Sequence, residues 1–293
     1  MTTLIPIKYG KKDYPQGIIP KIEEIPAHFD VKSINPSMNC SLHTEYSAGK
    51  RKLTSDLLKD FQIIKKAHKN FIPQLWFNDE WSIEFGKFLI KLIGNHDPPK
   101  IIEIHPPYDD YCNSLEIFLE RYQIFESFIL KYFPNIEILI ENRFGTMYSG
   151  GKFILKTSND LINLSNLLDD LDLKLKIVLD IPQLFSANNI NPLNINEENI
   201  IKILSPLKKC INDISSIHMW GKKRTEKGRL IVHHGDLNNL LNFNKDLKTI
   251  FLKEIYNLFN DGKTRYFVPE VNSNNNDLIS IVNDFKNIGF KFL

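Results

Sequence analysis

Residues 157–180 read TSNDLINLSNLLDDLDLKLKIVLD, and they hold a whole structural unit. Thr157 and Asp160 stand in the spacing of a capping box, apolar residues recur at helical intervals to 171, and KLKIVLD (174–180) is a short apolar run of strand type. The unit is therefore a helix followed by a strand that delivers a carboxylate, Asp180, at its end. Upstream, KIIEIH (100–105) and IEILIE (136–141) read as strands around the helical NSLEIFLERYQIFESFILKYF (113–133). Downstream, EENIIKILSPL (197–207), ISSIHMW (214–220), LKTIFLKEIYNLF (247–259), RYFVPEV (265–271) and DLISIVNDFKNI (277–288) continue the alternation. The first third adds strands at LIPIKY (4–9), AHFDVKS (27–33) and SMNCSLHTEY (37–46), with helices at DLLKDFQIIKKAH (56–68) and SIEFGKFLIKLI (82–93).

Eight strands with intervening helices predict a single (β/α)8 TIM barrel spanning 1–293. A doubly wound nucleotide-binding sheet is the weaker alternative, because the first strand has no Gly-rich turn after it and no GxxxxGK[ST] occurs. The 293 residues are 42% hydrophobic and 25% charged, an ordinary globular balance, and the net charge of +2 leaves any nucleic-acid role to local basic patches. Cys40, Cys112 and Cys210 are odd in number and show no CxxC pairing, which argues against a disulfide framework or thiolate zinc site. Neither a secretory leader nor an apolar window of ~18 residues is visible, so a cytoplasmic protein with no membrane partner is expected.

Barrel strands aim their C-terminal ends at one face, where catalytic groups gather. The residues there are His43, His105, Glu141, Asp180, His218 and Glu270. One such residue alone is more often a cap or half of an ion pair. Together, the three carboxylates would repel one another unless a cation neutralised them, and the three imidazoles are ligand types too, so the six point to bound divalent metal. AGKRK (48–52), Arg143 and GKKRTEKGR (221–229) make the same rim basic and favour an anionic substrate, while Tyr108, Phe144, Tyr148, Phe185 and Trp220 could stack a sugar or base.

In their order, SLHTEY, EIHPP, LIENRFG, LDIPQLFSA, SSIHMWGKK and VPEV resemble the strand ends of the xylose isomerase-like barrels, most closely the endonuclease IV family of apurinic-site DNA-repair nucleases. That resemblance covers about residues 38–272. It implies a first metal, zinc or manganese with magnesium as a further option, at His43, His105 and Glu141. A second would lie at Glu141, Asp180, His218 and Glu270, with Glu141 shared. A third family site is broken, since its positions hold Gln183, Ile231 and His233; only His233 is a ligand type, unless His234 and Asp236 rebuild the site from a shifted loop. The implied activity is phosphodiester hydrolysis by a hydroxide held between two divalent ions. Glu141 and Glu270 are the catalytic carboxylates, and Arg143, Lys222, Lys223, Arg224 and Arg229 contact an anionic substrate such as DNA. The alternative is a sugar or sugar-phosphate isomerase or epimerase. It would use one ion on Glu141, Asp180, His218 and Glu270 and two glutamates for proton transfer, with Arg224 as the substrate arginine. A barrel that keeps metal without catalysis is a third class.

Overall fold

The computed structural model describes residues 2–293. Eight strands, β1 (Thr3–Lys8), β2 (Ile22–Ala27), β3 (Asn39–Thr44), β4 (Ile101–Ile104), β5 (Glu137–Glu141), β6 (Lys176–Asp180), β7 (Ile214–Met219) and β8 (Thr264–Pro269), lie side by side in chain order. β8 pairs in parallel with β1, Thr3 opposite Thr264 and Pro6 opposite Phe267, so the sheet closes into the expected barrel.

The longer helices pack outside or over the rim: α1 (Asp79–Ile93), α2 (Leu115–Tyr132), α3 (Ser158–Leu171), α4 (Ile181–Ala187), α5 (Glu197–Leu204), α6 (Lys245–Phe259) and α7 (Asn275–Asn287). Their starts follow local chemistry. Asn78, Ser114, Asn196, Asn244 and Asn274 each accept a first-turn N–H, and Thr157 forms the capping box with Asp160. Alternate strand residues such as Ile102, Ile140, Leu179, Ile217 and Phe267 face outward and are buried against helix residues including Phe118, Phe125, Leu161 and Ile255. At the N-terminal rim the buried Arg265 clamps β8 to its neighbours, with Nε donating to the Ile214 carbonyl at 2.8 Å and both Nη atoms to Asp261.

Two early elements differ from the sequence reading. The second strand is IEEIPA (22–27), not AHFDVKS (27–33), and loops 9–21 and 28–38 replace the first two outer helices. Its inward face carries Glu24 and Pro26, so hydropathy did not mark it, while Phe29 in the loop packs on Trp81, Phe85 and Phe88. DLLKDFQIIKKAH is not one helix but a 3-10 turn (Asp56–Asp60) and a short α turn (Gln62–Lys66), broken at Phe61, whose ring is buried against Phe88. All three cysteines are free and buried. Among the described residues, no helix is long and apolar enough to cross a membrane.

Candidate metal centre

Strand periodicity builds the site. Ile22, Ile101, Leu139, Val178 and Val268 point into the barrel and form an apolar plug with Ile7 and Tyr266. Two residues further along each strand, the same inward parity is occupied by Glu24, Glu103, Glu141, Asp180 and Glu270. His218 on β7, His43 on β3 and His105 just past β4 complete the layer above the plug. The strand ends alone do not reveal Glu24, whose strand lies upstream of the AHFDVKS reading, or Glu103; Glu103, two positions before His105, shares its inward parity.

These groups converge. His43 Nδ1 lies 3.2 Å from Glu24 and 3.4 Å from Glu103. His218 Nε2 lies 3.3 Å from Glu103, and its Nδ1 is 3.1 Å from Glu270 and 3.8 Å from Glu141. Four sets of side chains have ligand atoms within 4.8 Å of one another: His43, Glu103, His105 and Glu141; Glu24, Glu103 and His218; Glu24, His43 and Glu270; and Glu141, His218 and Glu270. The first and the last share Glu141. Asp180 belongs to none of these sets and is the N-cap of α4: its Oδ1 accepts from Gln183 N at 2.8 Å and its Oδ2 from Trp220 Nε1 at 2.9 Å.

The donor set fits cations. Glu24 Oε2, His43 Nδ1, Glu103 Oε1, Glu141 Oε1 and both nitrogens of His218 are buried without a hydrogen bond, although oppositely charged atoms lie close by. Buried polar atoms are rarely left so, because each forfeits its hydration. His105 Nδ1 lies 3.2 Å from the Glu45 carbonyl, which can only accept, so Nδ1 carries the proton. A neutral His105 then turns its Nε2 lone pair toward Glu141 Oε2 at 2.9 Å. Two acceptors at that distance need a proton or a cation between them.

Titration behaviour in the metal-free chain follows the same crowding. Burial would push His43 down, but Glu103 and Glu24 raise it to about 10. Burial likewise opposes His218, yet Glu103 and Glu270 hold it well above the usual imidazole range. His105 is lowered to about 4 by burial. Asp180 is raised well above the carboxylate range by burial and then by Glu141 and Glu270. Glu141 resists its own burial and is held well below that range, chiefly by Arg143.

The positions of the broken third site are separated. The Gln183 side chain accepts from Phe144 N at 3.2 Å, and Ile231 sits partly exposed in the hairpin formed by Lys222–Arg224 and Leu230–Val232. His233 stacks on Trp220 at 4.2 Å, its Nδ1 3.4 Å from Glu270 Oε2. His234 is half-buried with its Nδ1 against the Val232 carbonyl, and Asp236 caps a helical turn while accepting from Ser280, so the two do not rebuild a site.

Arg143 is buried against Glu141 at 3.2 Å and lies over the Tyr46 ring, which Arg51 also contacts. Lys222 is buried, whereas Lys223, Arg224 and Arg229 are exposed on the hairpin. Of the rim aromatics, Phe144 and Trp220 line a cavity; Tyr108, Tyr148 and Phe185 are buried in packing instead, Tyr108 stacking on Phe153. A cavity of about 380 Å³ opens over Glu24, His43 and Glu270, and a second of about 680 Å³ shares Tyr46, Arg143 and His233 with it.

No protein-family model and no curated protein matches this chain. Among solved structures, AsfvAP:AG is similar at a TM-score of 0.52 and 12% identity, covering 92% of this chain and 98% of that one. A xylose isomerase domain protein from Planctomyces limnophilus overlaps at a TM-score of 0.39 and 13% identity, over 72% of this chain and 63% of that one. D-psicose 3-epimerase with D-tagatose from Clostridium cellulolyticum H10 gives 0.42 and 11%, over 97% and 92%. At 12% identity the likeness to the first of these is one of fold alone, and the strand pairing of this chain shows the closed (β/α)8 barrel directly.

Proposed function

We propose that the chain is a metal-dependent phosphodiester hydrolase acting on nucleic acid, with two divalent ions, zinc or manganese, in the barrel mouth. The observation that carries this reading is the pair of donor clusters that share Glu141. A one-ion proton-transfer enzyme has no use for His43, Glu103 and His105 as a second set. His43, His105, Glu103 and Glu141 would hold the first ion, and Glu141, His218 and Glu270 the second, with Asp180 near enough for the Glu141 charge to raise its pKa. When bound, the ions would neutralise the phosphodiester and lower the pKa of the attacking water.

The protein's own groups supply the rest. Arg143 balances Glu141 from the side, keeping that carboxylate ionised. Glu270, fixed between His218 and His233, is placed to hold a proton from the nucleophile at Oε2. Lys223, Arg224 and Arg229 project from the hairpin toward solvent, where they would contact phosphates further along a strand.

The test is cleavage of an oligonucleotide carrying an abasic site. Cleavage should require divalent metal and vanish in Glu270→Gln. The isomerase alternative instead gives exchange of a substrate C–H proton with deuterated water on a ketose or its phosphate. That exchange, with no cleavage of DNA or RNA under the same metal conditions, contradicts the proposal. DNA binding should weaken as salt rises, and replacing Lys223 and Arg224 together by Ala should flatten the log–log salt slope by roughly 1.8. An unchanged slope would remove the hairpin from the binding face.

A further inference from the structure

Lys222 is an unusual lysine. It begins the hairpin that follows β7 and is 6% exposed. Its Nζ donates to Ser186 Oγ at 2.6 Å and lies 5.7 Å from the Trp220 ring centre. Among the described residues, no carboxylate comes within ion-pair distance of it, unlike Lys69, Lys176 and Lys248. A buried ammonium costs several kcal/mol of lost hydration unless paired, so buried lysines generally have a counter-charge.

The local bonding leaves the ammonium facing open space. Ser186 Oγ donates its own proton to the Pro182 carbonyl at 2.6 Å, so toward Lys222 it can only accept. An ammonium has three N–H donors, and one is used. The cavity of about 680 Å³ is lined by Lys222 and Ser186 on one side and by Arg143 on another. Arg143 Nε is itself buried without a partner. Phe144, Met147 and Val232 border the same cavity, each more than a third exposed, and give it an apolar lip.

We propose that Lys222, seated on Ser186 and facing Arg143, forms a second phosphate subsite beside the metal centre, which takes the phosphate neighbouring the one at the ions. The proposal rests on the hydrolase reading for the identity of the substrate, not for the existence of the subsite. Lys222 lies beside Gln183 in the cavity wall, so a fixed side-chain charge serves there without a metal ligand at that position. Burial holds its amine down to about 8, so it is largely charged at neutrality and marks this lysine apart from the exposed ones. The apolar lip suits the base or sugar between the two phosphates.

Calorimetry on the full chain, with and without Zn²⁺, can compare thymidine 3′,5′-bisphosphate with thymidine 5′-monophosphate. The bisphosphate should bind about tenfold more tightly, as one charge-assisted contact is worth about 1.4 kcal/mol or more. Lys222→Met should erase that difference, and Lys222→Arg should keep most of it. Equal affinities in the wild-type protein, or a difference that survives intact in Lys222→Met, overturn the proposal. Should Lys222→Met not fold, spectra of wild-type protein carrying ¹³C-lysine decide: the lysine titrating near 8 must shift with the bisphosphate and not with the monophosphate. A Lys222-dependent preference without DNA cleavage would leave the subsite standing and bring down the hydrolase reading. Cleavage without the preference would do the reverse.

Discussion

Replacing Glu141 by Gln is expected to strip metal from both halves of the centre and to lower phosphodiester cleavage by about three orders of magnitude, the equivalent of about 4 kcal/mol of transition-state stabilisation. The size follows from its position. Glu141 is fully buried, belongs to both donor clusters that share it and is held ionised by Arg143. The amide keeps the shape but loses the charge that two cations would share. His43→Ala is the matched control, because His43 belongs to the first cluster and not to the one formed by Glu141, His218 and Glu270. It should lose one ion and retain the other. Metal content of the two variants, measured beside their activity, checks this; equal metal in both and in wild type would disprove the shared-ligand arrangement.

Metal should also act on stability, and steeply with pH. His43 and His218 have raised pKa values in the metal-free fold, so at neutrality each carries a proton that an ion must displace. Affinity should therefore rise from neutral pH toward about 10, where His43 loses its proton unaided, by about tenfold per pH unit for each proton released. In the metal-free chain the sign is opposite. The imidazole–carboxylate contacts stabilise fully below the ordinary imidazole range, and His43's share is lost as pH rises through about 10. At free metal about a hundredfold above its Kd each ion contributes about 2.7 kcal/mol. A chelator that removes both should then lower Tm by about 10–20 °C, at roughly 2–4 °C per kcal/mol for a chain of this class. Thermal melts with and without chelator at several pH values check both trends. A Tm indifferent to metal would contradict the binding, and an affinity falling with pH would contradict the ionisation pattern.

How much of this was legible in the sequence depends on where apolar side chains face. From β4 onward each strand has an outward apolar face against helices, and the alternation with helical segments was plain. β2 was not, because Glu24 occupies an inward position and Pro26 follows it, so IEEIPA looks like a loop to any hydropathy reading. The same blindness hid Glu103. Its inward position is set by strand parity rather than by the end of the run, and a ligand one layer below the rim is found only by stepping back two residues from His105. Residues 56–68 show helical spacing, but burial of Phe61 outweighs it and breaks the helix. Asp180 stood out correctly as a buried strand-end acid. Its bonds to Gln183 N and Trp220 Nε1 depend on the turn into α4, which no spacing rule reports. Tyr108 and Phe185 looked like rim aromatics because they follow strands, yet the loops turn them into the core.

The central claim is that these inward residues form a paired divalent-metal centre. Elemental analysis of freshly purified full-length chain, followed by titration with zinc and manganese, tests it most directly. Two ions per chain are expected, falling to one in His43→Ala. One ion in the wild-type protein would contradict the paired centre, and none, with no uptake on titration, would contradict the metal centre altogether.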